Sequence, residues 1–222
     1  MAAITISREL GSLGTIIGEQ VAEQLGYDLI DENIIEGVFR QYGLTKFTDL
    51  YHSIPRLWDI ANVTNLLVVS MLNETFQALA QRGRVVIMGR GGFATLSGYT
   101  DVLKVRIQAP LSVRVERVME KEGEADQQLA EEWVQKDDKM RRNFVQLFYD
   151  KRWDLETHYD LVLDTGTISA EMAIEWTVKA ARALEQKELN EDETTRKVEV
   201  DPVLVDAIEK ILAHPLPPLP NE

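Results

Sequence analysis

The chain of 222 residues contains no cysteine, which excludes a disulfide, a thiolate nucleophile and a cysteine-ligated metal. The absence is also what we expect of a protein in a reducing cytoplasm. Only three histidines are present, His52, His158 and His214, and they are scattered, so a zinc site is not expected. No apolar run reaches the length of a membrane span, and the N-terminus opens directly into a strand pattern. We therefore expect a soluble intracellular protein.

Positive charge is also scarce, because 24 Lys and Arg face 37 Asp and Glu for a formal net charge of −13. Such a surface disfavours binding to a nucleic acid polymer or to an anionic membrane, and neither partner is expected. A local basic cleft is compatible with this negative net charge. The positions of the lysines and arginines therefore say more about an anionic ligand than their number does.

What the sequence does contain is a strand, a glycine turn, a helix and a second strand within residues 4–31. Apolar positions recur at helical spacing from residue 15 until Gly26 ends the pattern. A glycine turn that leads into a helix N-terminus gathers backbone N–H donors and the positive end of the helix dipole, which suits a phosphate group. The residues of this candidate phosphate loop are Gly11, Ser12, Leu13, Gly14 and Thr15.

The candidate loop lacks the lysine of the triphosphate-binding signature G-x-x-x-x-G-K-[ST]. Gly14 stands in the lysine's place, and Thr15 after it offers only a hydroxyl. Arg8, just after the first strand, or a more distant arginine is a candidate replacement for the missing cation. A tight strand-to-helix turn that binds nothing is the alternative left open by the spacing.

A second glycine loop follows the apolar strand predicted at residues 84–88, and it encloses one arginine in the run Gly89, Arg90, Gly91 and Gly92. The missing side chains let a ligand approach the backbone, and open parallel sheets bind ligands at the carboxyl ends of their strands. A guanidinium is a fitting partner for phosphate. A flexible loop with a solvated arginine is the alternative.

Basic residues also gather on two later helices. Arg114 and Arg117 form an i,i+3 pair soon after the strand predicted at residues 102–108. The helix predicted over residues 127–148 and the turn after it carry six more, namely Lys136, Lys139, Arg141, Arg142, Lys151 and Arg152. We expect an anionic partner for this cluster. The residues expected to converge on one cleft are Arg90, Arg114, Lys139 and Arg141.

Five predicted strands alternate with helices, which favours an α/β fold with a five-stranded parallel sheet and helices on both of its faces. Residues 1–184 are predicted to form this domain. Residues 185–222 are predicted to add a charged linker, a short helix from Pro202 to Leu212 and an extended, Pro-rich tail.

The predicted C-terminal helix is too apolar to stay exposed and too short to be stable alone, so we expect it to dock on protein. It can reach its own domain or a second copy, and a homodimer through this helix is the expected result. The Pro-rich tail could instead present a polyproline ligand to another protein.

Six segments in chain order resemble the cytidylate kinase-like branch of the nucleoside monophosphate kinases: ITISRELGSLG, LGYDLID, VVIMGRGG, VRIQAPLSVRVERV, DDKMRRN and YDLVLDTGTIS. The resemblance covers about residues 3–183 and implies the P-loop nucleotide-hydrolase fold, with a lid at about residues 123–142. It also implies transfer of the γ-phosphoryl group of ATP, with Mg²⁺, to a pyrimidine nucleoside monophosphate. CMP or dCMP is the expected acceptor.

The resemblance further implies roles for individual residues. The resemblance implies Lys139 and Arg141 as catalytic residues, and Arg8 joins them as the candidate replacement for the missing cation. The implied ATP-binding residues are Gly11, Ser12, Leu13, Gly14, Thr15 and Arg114. The implied monophosphate-binding residues are Asp31, Arg90 and Arg142, and no protein ligand for a metal is identified.

The chain also departs from the pattern of this branch. Lys139 stands where an arginine is usual, so bidentate gripping of a phosphate would be lost there. The branch commonly carries an Arg-Glu pair after its glycines, and here Thr15 and Ile16 replace that pair after Gly14. Two alternatives to an active kinase therefore stay open, a nucleotide-binding relative without useful transfer and a scaffold or interaction protein.

Overall fold

A computed structural model of the chain describes residues 2–44 and 47–214. Five strands form one sheet: β1 Ala3–Arg8, β2 Asp28–Ile30, β3 Val85–Met88, β4 Val102–Gln108 and β5 Leu161–Asp164. Nine α-helices lie in this part of the chain: α1 Gly14–Leu25, α2 Glu32–Gln41, α3 Phe47–His52, α4 Val63–Arg82, α5 Gly92–Thr95, α6 Leu111–Glu122, α7 Gln127–Tyr149, α8 Ala170–Glu185 and α9 Pro202–Ala213. None of the helices in these two ranges is long and apolar enough to cross a membrane.

The strands are ordered β2-β3-β1-β4-β5, and every neighbouring pair is parallel. Successive strand residues face opposite sides, so Val86 and Met88 pack with α1 and α8, whereas Val85 and Ile87 pack with α2, α4 and α9. A parallel sheet needs this cover on both faces. The predicted fold class is confirmed.

The parallel arrangement brings the carboxyl ends of the strands to one edge. β1 ends at Arg8 before the candidate phosphate loop, β3 ends at Met88 before the second glycine loop, and β2 ends next to Asp31. This edge is where open α/β sheets bind their ligands. The pairing of β1 with β3 therefore places the two predicted glycine loops side by side.

The segment between α8 and α9 differs from the predicted linker, because it is fixed to the rest of the domain. The Thr195 hydroxyl donates to Asp101 Oδ2 at 2.7 Å, and the Thr195 backbone N–H donates to Asp101 Oδ1 at 2.9 Å. Thr194 and Thr195 are both buried. The charged composition of the segment gave no sign of this anchor, since a single threonine among charged neighbours makes the contacts with Asp101. The predicted Pro-rich tail, residues 215–222, lies outside the described residues.

Helix α9 has the predicted position and docks on its own domain. Its side chains Leu204, Ala207, Ile208 and Ile211 are buried in the core shared with α2 and α4. Arg82 at the end of α4 also bonds Glu209, with 2.7 Å between Nε and Oε1. The expected docking therefore occurs within one chain, and the homodimer through this helix stays a prediction.

We expect Ile208→Ala to lower the free energy of unfolding by about 2–5 kcal/mol, because a fully buried aliphatic side chain would leave a cavity. Urea denaturation followed by circular dichroism measures the change. Val203→Ala on the same helix is the matched control, since Val203 is 63% exposed and its truncation should change little. Equal midpoints for Ile208→Ala and the unmodified protein would contradict the docking of α9.

Candidate active site

The candidate phosphate loop connects β1 to α1 through a tight turn, in which Ser12 hydrogen-bonds back to Glu9. Gly11 has φ 79° and Leu13 has φ 63°, both in the left-handed region. The region is uncommon for a residue such as Leu13, and such backbone strain clusters at functional sites. Ser12 is buried, and both its backbone N–H and its hydroxyl donate to the Glu9 carbonyl, at 3.2 and 2.8 Å.

The two glycines of the loop are also required by close packing. A Cβ atom at Gly11 would lie 2.6 Å from the Arg114 carbonyl oxygen, and one at Gly14 would lie 2.4 Å from Arg8 Cβ. Real Cβ atoms do not approach other atoms so closely. The sequence therefore places glycine at both positions so that the loop can lie directly on β1 and α6.

An ion-pair network lies beneath the loop and ties it to α6 and α7. The Glu9 carboxylate accepts from Arg106 Nη2 at 2.8 Å and pairs with Arg114 Nε at 3.3 Å. Burial raises the pKa of Glu9, although the neighbouring arginines oppose the shift. Arg114 also donates from Nη2 to Asp138 Oδ2 on α7 at 3.0 Å.

The position of Arg114 corrects its expected convergence with the other cations. Its guanidinium is buried under the loop and hydrogen-bonded to Asp138 and to the Ala109 carbonyl. Arg117 makes a similar anchor, because it donates to the Gly11 carbonyl at 3.2 Å and to the Thr165 carbonyl at 2.8 Å. Both arginines therefore hold the shape of the loop, and contact of Arg114 with ATP stays a prediction.

Three other arginines do converge above the sheet edge: Arg8 from the end of β1, Arg90 from the second glycine loop and Arg141 from α7. Arg141 donates from Nε and Nη2 to the two carboxylate oxygens of Asp137, at 2.5 and 3.1 Å. Arg8 Nη1, Arg90 Nε and Arg90 Nη1 are buried and have no hydrogen-bond partner. This arginine cluster has free donors for an anion.

The titration of the arginine cluster reflects burial and mutual repulsion. Burial, and then the charge of Arg141, lower the pKa of Arg8. Burial also lowers the pKa of Arg90 to about 10, and the charge of Arg141 adds to the shift. Burial also acts to lower the pKa of Arg141. The negative charge of Asp137 and its hydrogen bonds with Arg141 have the larger effect, so the pKa of Arg141 is raised. An added anion would relieve this repulsion.

Tyr51 of α3 holds Arg90 in place. Its hydroxyl accepts from the Arg90 backbone N–H at 3.2 Å, and the Arg90 guanidinium lies 4.4 Å from the centre of its ring. A Cβ at Gly89 would lie 2.8 Å from the same hydroxyl, so glycine is required there. No local pattern in the sequence indicates this role for Tyr51, since the contact joins α3 to the end of β3, which are distant in the chain.

A concavity of about 950 Å³ opens over the phosphate loop. Gly11, Leu13, Gly14 and Thr15 form its floor, and α6 and α7 form one wall. Arg8 and Arg141 of the arginine cluster also line this concavity. The phosphate loop and two of the three arginines of the cluster therefore line one concavity, which is large enough for a small-molecule ligand.

The structure separates Lys139 and Arg142 from Arg141. Both are exposed on α7 and line another concavity of about 700 Å³, next to Ile54. The reason is helical phase, since Asp137 and Arg141 are four residues apart and share a face, whereas Lys139 lies about 200° around the helix from Asp137. The expected convergence of four cations therefore holds for Arg90 and Arg141 and fails for Arg114 and Lys139.

Asp31 lies at the same sheet edge, but its contacts are those of a helix cap. Its Oδ1 accepts from the Ile34 backbone N–H at 3.0 Å, and its Oδ2 accepts from Asn33 Nδ2 at 3.2 Å. N-caps of this kind satisfy the free N–H groups of the first helical turn. Binding of a monophosphate by Asp31 stays a prediction.

The sheet order, the helices on both faces and the glycine loop between β1 and α1 define a P-loop kinase fold. The chain belongs to the cytidylate kinase-like family, whose sequence model matches residues 3–167. A cytidylate kinase from Archaeoglobus fulgidus is 30% identical over 181 residues, which cover 80% of this chain and 93% of that protein.

Two further similarities are less informative about the site. A uronate isomerase from Corynebacterium glutamicum is 29% identical over 126 residues, or 54% of this chain, and the match spans only 24% of that relative's length. An uncharacterized protein of known structure from Eubacterium ventriosum superposes with a TM-score of 0.64 at 21% identity, over 82% of this chain and 99% of that one. The second similarity supports the fold alone.

Proposed function

We propose that this protein is a nucleotide kinase that transfers the γ-phosphoryl group of ATP to a pyrimidine nucleoside monophosphate, with CMP or dCMP as the expected acceptor. The observation that carries the proposal is the arginine cluster of Arg8, Arg90 and Arg141. Arg8 and Arg90 have buried N–H donors without partners, and Arg8 and Arg141 line the concavity over the phosphate loop. Similarity to the cytidylate kinase of Archaeoglobus fulgidus supports the choice of acceptor.

The charge of the cluster favours a ligand with several negative charges. Three guanidinium groups face the Asp137 carboxylate, which supplies one negative charge. A buried charged donor without a partner destabilises the protein, and phosphate oxygens would satisfy it with strong, charge-assisted hydrogen bonds. Two phosphate groups, one from each substrate, would use the donors of the cluster more fully than one carboxylate.

The donor triphosphate would lie over the floor of the concavity at the start of α1, where Gly11 and Gly14 let the loop pack closely on α6 and β1. The exposed Thr15 hydroxyl fits a Mg²⁺ ion that is held mainly by phosphate oxygens, as is usual for this metal. No group of three or more acidic or histidine side chains that could hold a metal by itself occurs in residues 2–44 and 47–214. Bound Mg²⁺ would neutralise charge on the triphosphate.

In the proposed reaction, an acceptor phosphate oxygen attacks the γ-phosphorus of ATP and the bond to the ADP oxygen breaks. Negative charge spreads over the transferred group, so catalysis depends on positioning and electrostatic stabilisation. Arg8 and Arg141, which line the concavity, would contact this group, and Arg90 would hold the acceptor phosphate. The proposal also includes contacts of the monophosphate with Asp31 and Arg142. It further includes phosphate contacts of Lys139 and Arg114. All four side chains would have to move to make these contacts.

The phosphate loop itself favours a second function, nucleotide binding without useful transfer. Both donors of Ser12 bond the Glu9 carbonyl, and Gly14 has no side chain where the usual signature has a lysine. Loss of one charged contact to a transferring phosphoryl group lowers the rate by about 10²–10³ by analogy with other preorganised sites. Arg8 would have to replace that contact for the kinase to be active.

A coupled assay for ADP release separates the two functions. We expect ADP formation with Mg-ATP that depends on CMP or dCMP and exceeds the rates with UMP and AMP. A reaction without acceptor corrects for ATP hydrolysis. Nucleotide binding by calorimetry without acceptor-dependent ADP, even at high protein concentration, would favour the binding-only function. Absence of both binding and turnover would refute both functions.

A further inference from the structure

The concavity over the phosphate loop has an apolar wall as well as a cationic one. Ile16 on α1 and Trp133 on α7 both line it, although Ile16 is 53% exposed and Trp133 is 38% exposed. Large apolar side chains that share a concavity while partly exposed mark a surface suited to a ligand. Neither side chain has a part in the phosphoryl transfer proposed above.

The spacing on α7 separates this apolar wall from the charged one. Trp133, Asp137 and Arg141 follow each other at intervals of four residues, so they lie along one side of the helix. Trp133 is about 12 Å from Arg141 along the helix axis, at 1.5 Å per residue. A ligand that lies along this side would meet cations at one end and a flat aromatic surface at the other. A nucleoside triphosphate has this distribution of charge.

We propose that Trp133 and Ile16 form the subsite for the base of the donor nucleotide, with the base stacked on the Trp133 ring. The inference rests on the proposed function, because it requires the triphosphate to lie over residues 11–15. Bases stack on aromatic side chains through their π-faces, and the aliphatic Ile16 would pack against the same ligand.

Titration calorimetry with ATP and with inorganic triphosphate, both in the presence of Mg²⁺, tests the subsite because the second ligand has no base. We expect the unmodified protein to bind ATP about 10-fold more tightly than triphosphate, the gain typical of one stacked base. Trp133→Ala should remove most of this difference and leave triphosphate affinity unchanged. Trp133→Phe should retain much of it, because a smaller aromatic ring remains.

Trp176→Ala is the matched control, because Trp176 on α8 is 40% exposed and lies outside the concavity. It should bind both ligands like the unmodified protein. Unchanged ATP affinity in Trp133→Ala, or equal weakening of ATP and triphosphate, would overturn the subsite and leave the proposed function standing. An unmodified protein that binds neither ligand would instead overturn the donor site of the proposed function, and the base subsite with it.

Discussion

Arg141→Ala is expected to lower kcat/KM by about 10³, as other losses of a preorganised charge contact at a reaction centre do. Arg141 supplies one of the three guanidinium groups of the arginine cluster, and without it Asp137 would lose both hydrogen bonds from Arg141 and keep its negative charge beside the phosphates. Removing one member of a buried ion pair has a larger effect than removing both. The measurement is steady-state kinetics with Mg-ATP and the best acceptor from the ADP assay.

Three further variants identify the cause of that loss. Arg141→Lys keeps the charge without the planar fork, so an intermediate activity is expected. Adding Asp137→Asn to Arg141→Ala should recover part of the activity, because it removes the carboxylate charge that Arg141 no longer binds. Lys136→Ala, on the exposed side of the same helix, is the control and should keep full activity. Full activity of Arg141→Ala would show that Arg141 does not take part in the reaction.

Gly11→Val is expected to weaken Mg-ATP binding by more than about 10²-fold, since it combines two kinds of strain. The φ of 79° is unfavourable for a β-branched residue, and the new Cβ would meet the Arg114 carbonyl oxygen at 2.6 Å. The loop would have to move away from Arg114 and Arg117, which now hold it. Isothermal titration calorimetry measures the affinity.

Gly98→Val provides the control for this change. A Cβ at Gly98 would meet no atom within 4 Å, so ATP affinity and melting temperature should stay close to those of the unmodified protein. A melting temperature for Gly11→Val recorded beside the titration separates local loss of the loop from unfolding. If Gly11→Val binds Mg-ATP as tightly as the unmodified protein, the loop is a structural turn only.

Local patterns were sufficient to predict most of the fold. Helical spacing of apolar residues and Gly26 predicted α1, and the apolar run before Gly89 predicted β3, because both signals come from neighbours in the chain. The four-residue helix α5, Gly92–Thr95, was missed because it is too short to show periodicity. The fixed position of Thr195 was missed because its partner Asp101 is distant in sequence.

The candidate site was predicted less completely. The two glycine loops and Arg90 are visible as motifs, and the Asp137–Arg141 pair has a spacing that a helix brings together. The contact of Tyr51 with Arg90 has no such spacing. The sequence also offered Lys139 and Arg141 as equal candidates, although they lie on different sides of α7.

Sequence alone determined the parallel α/β fold and the two glycine loops, because strand and helix periodicity and the backbone freedom of glycine are local properties. Tertiary structure alone decided which cations are available to a ligand. Arg114 is hydrogen-bonded to Asp138 beneath the loop, whereas Arg8 and Arg90 keep buried donors without partners. Availability depends on which carboxylates the packing of α6, α7 and the sheet brings within hydrogen-bonding distance, and those partners come from distant parts of the chain.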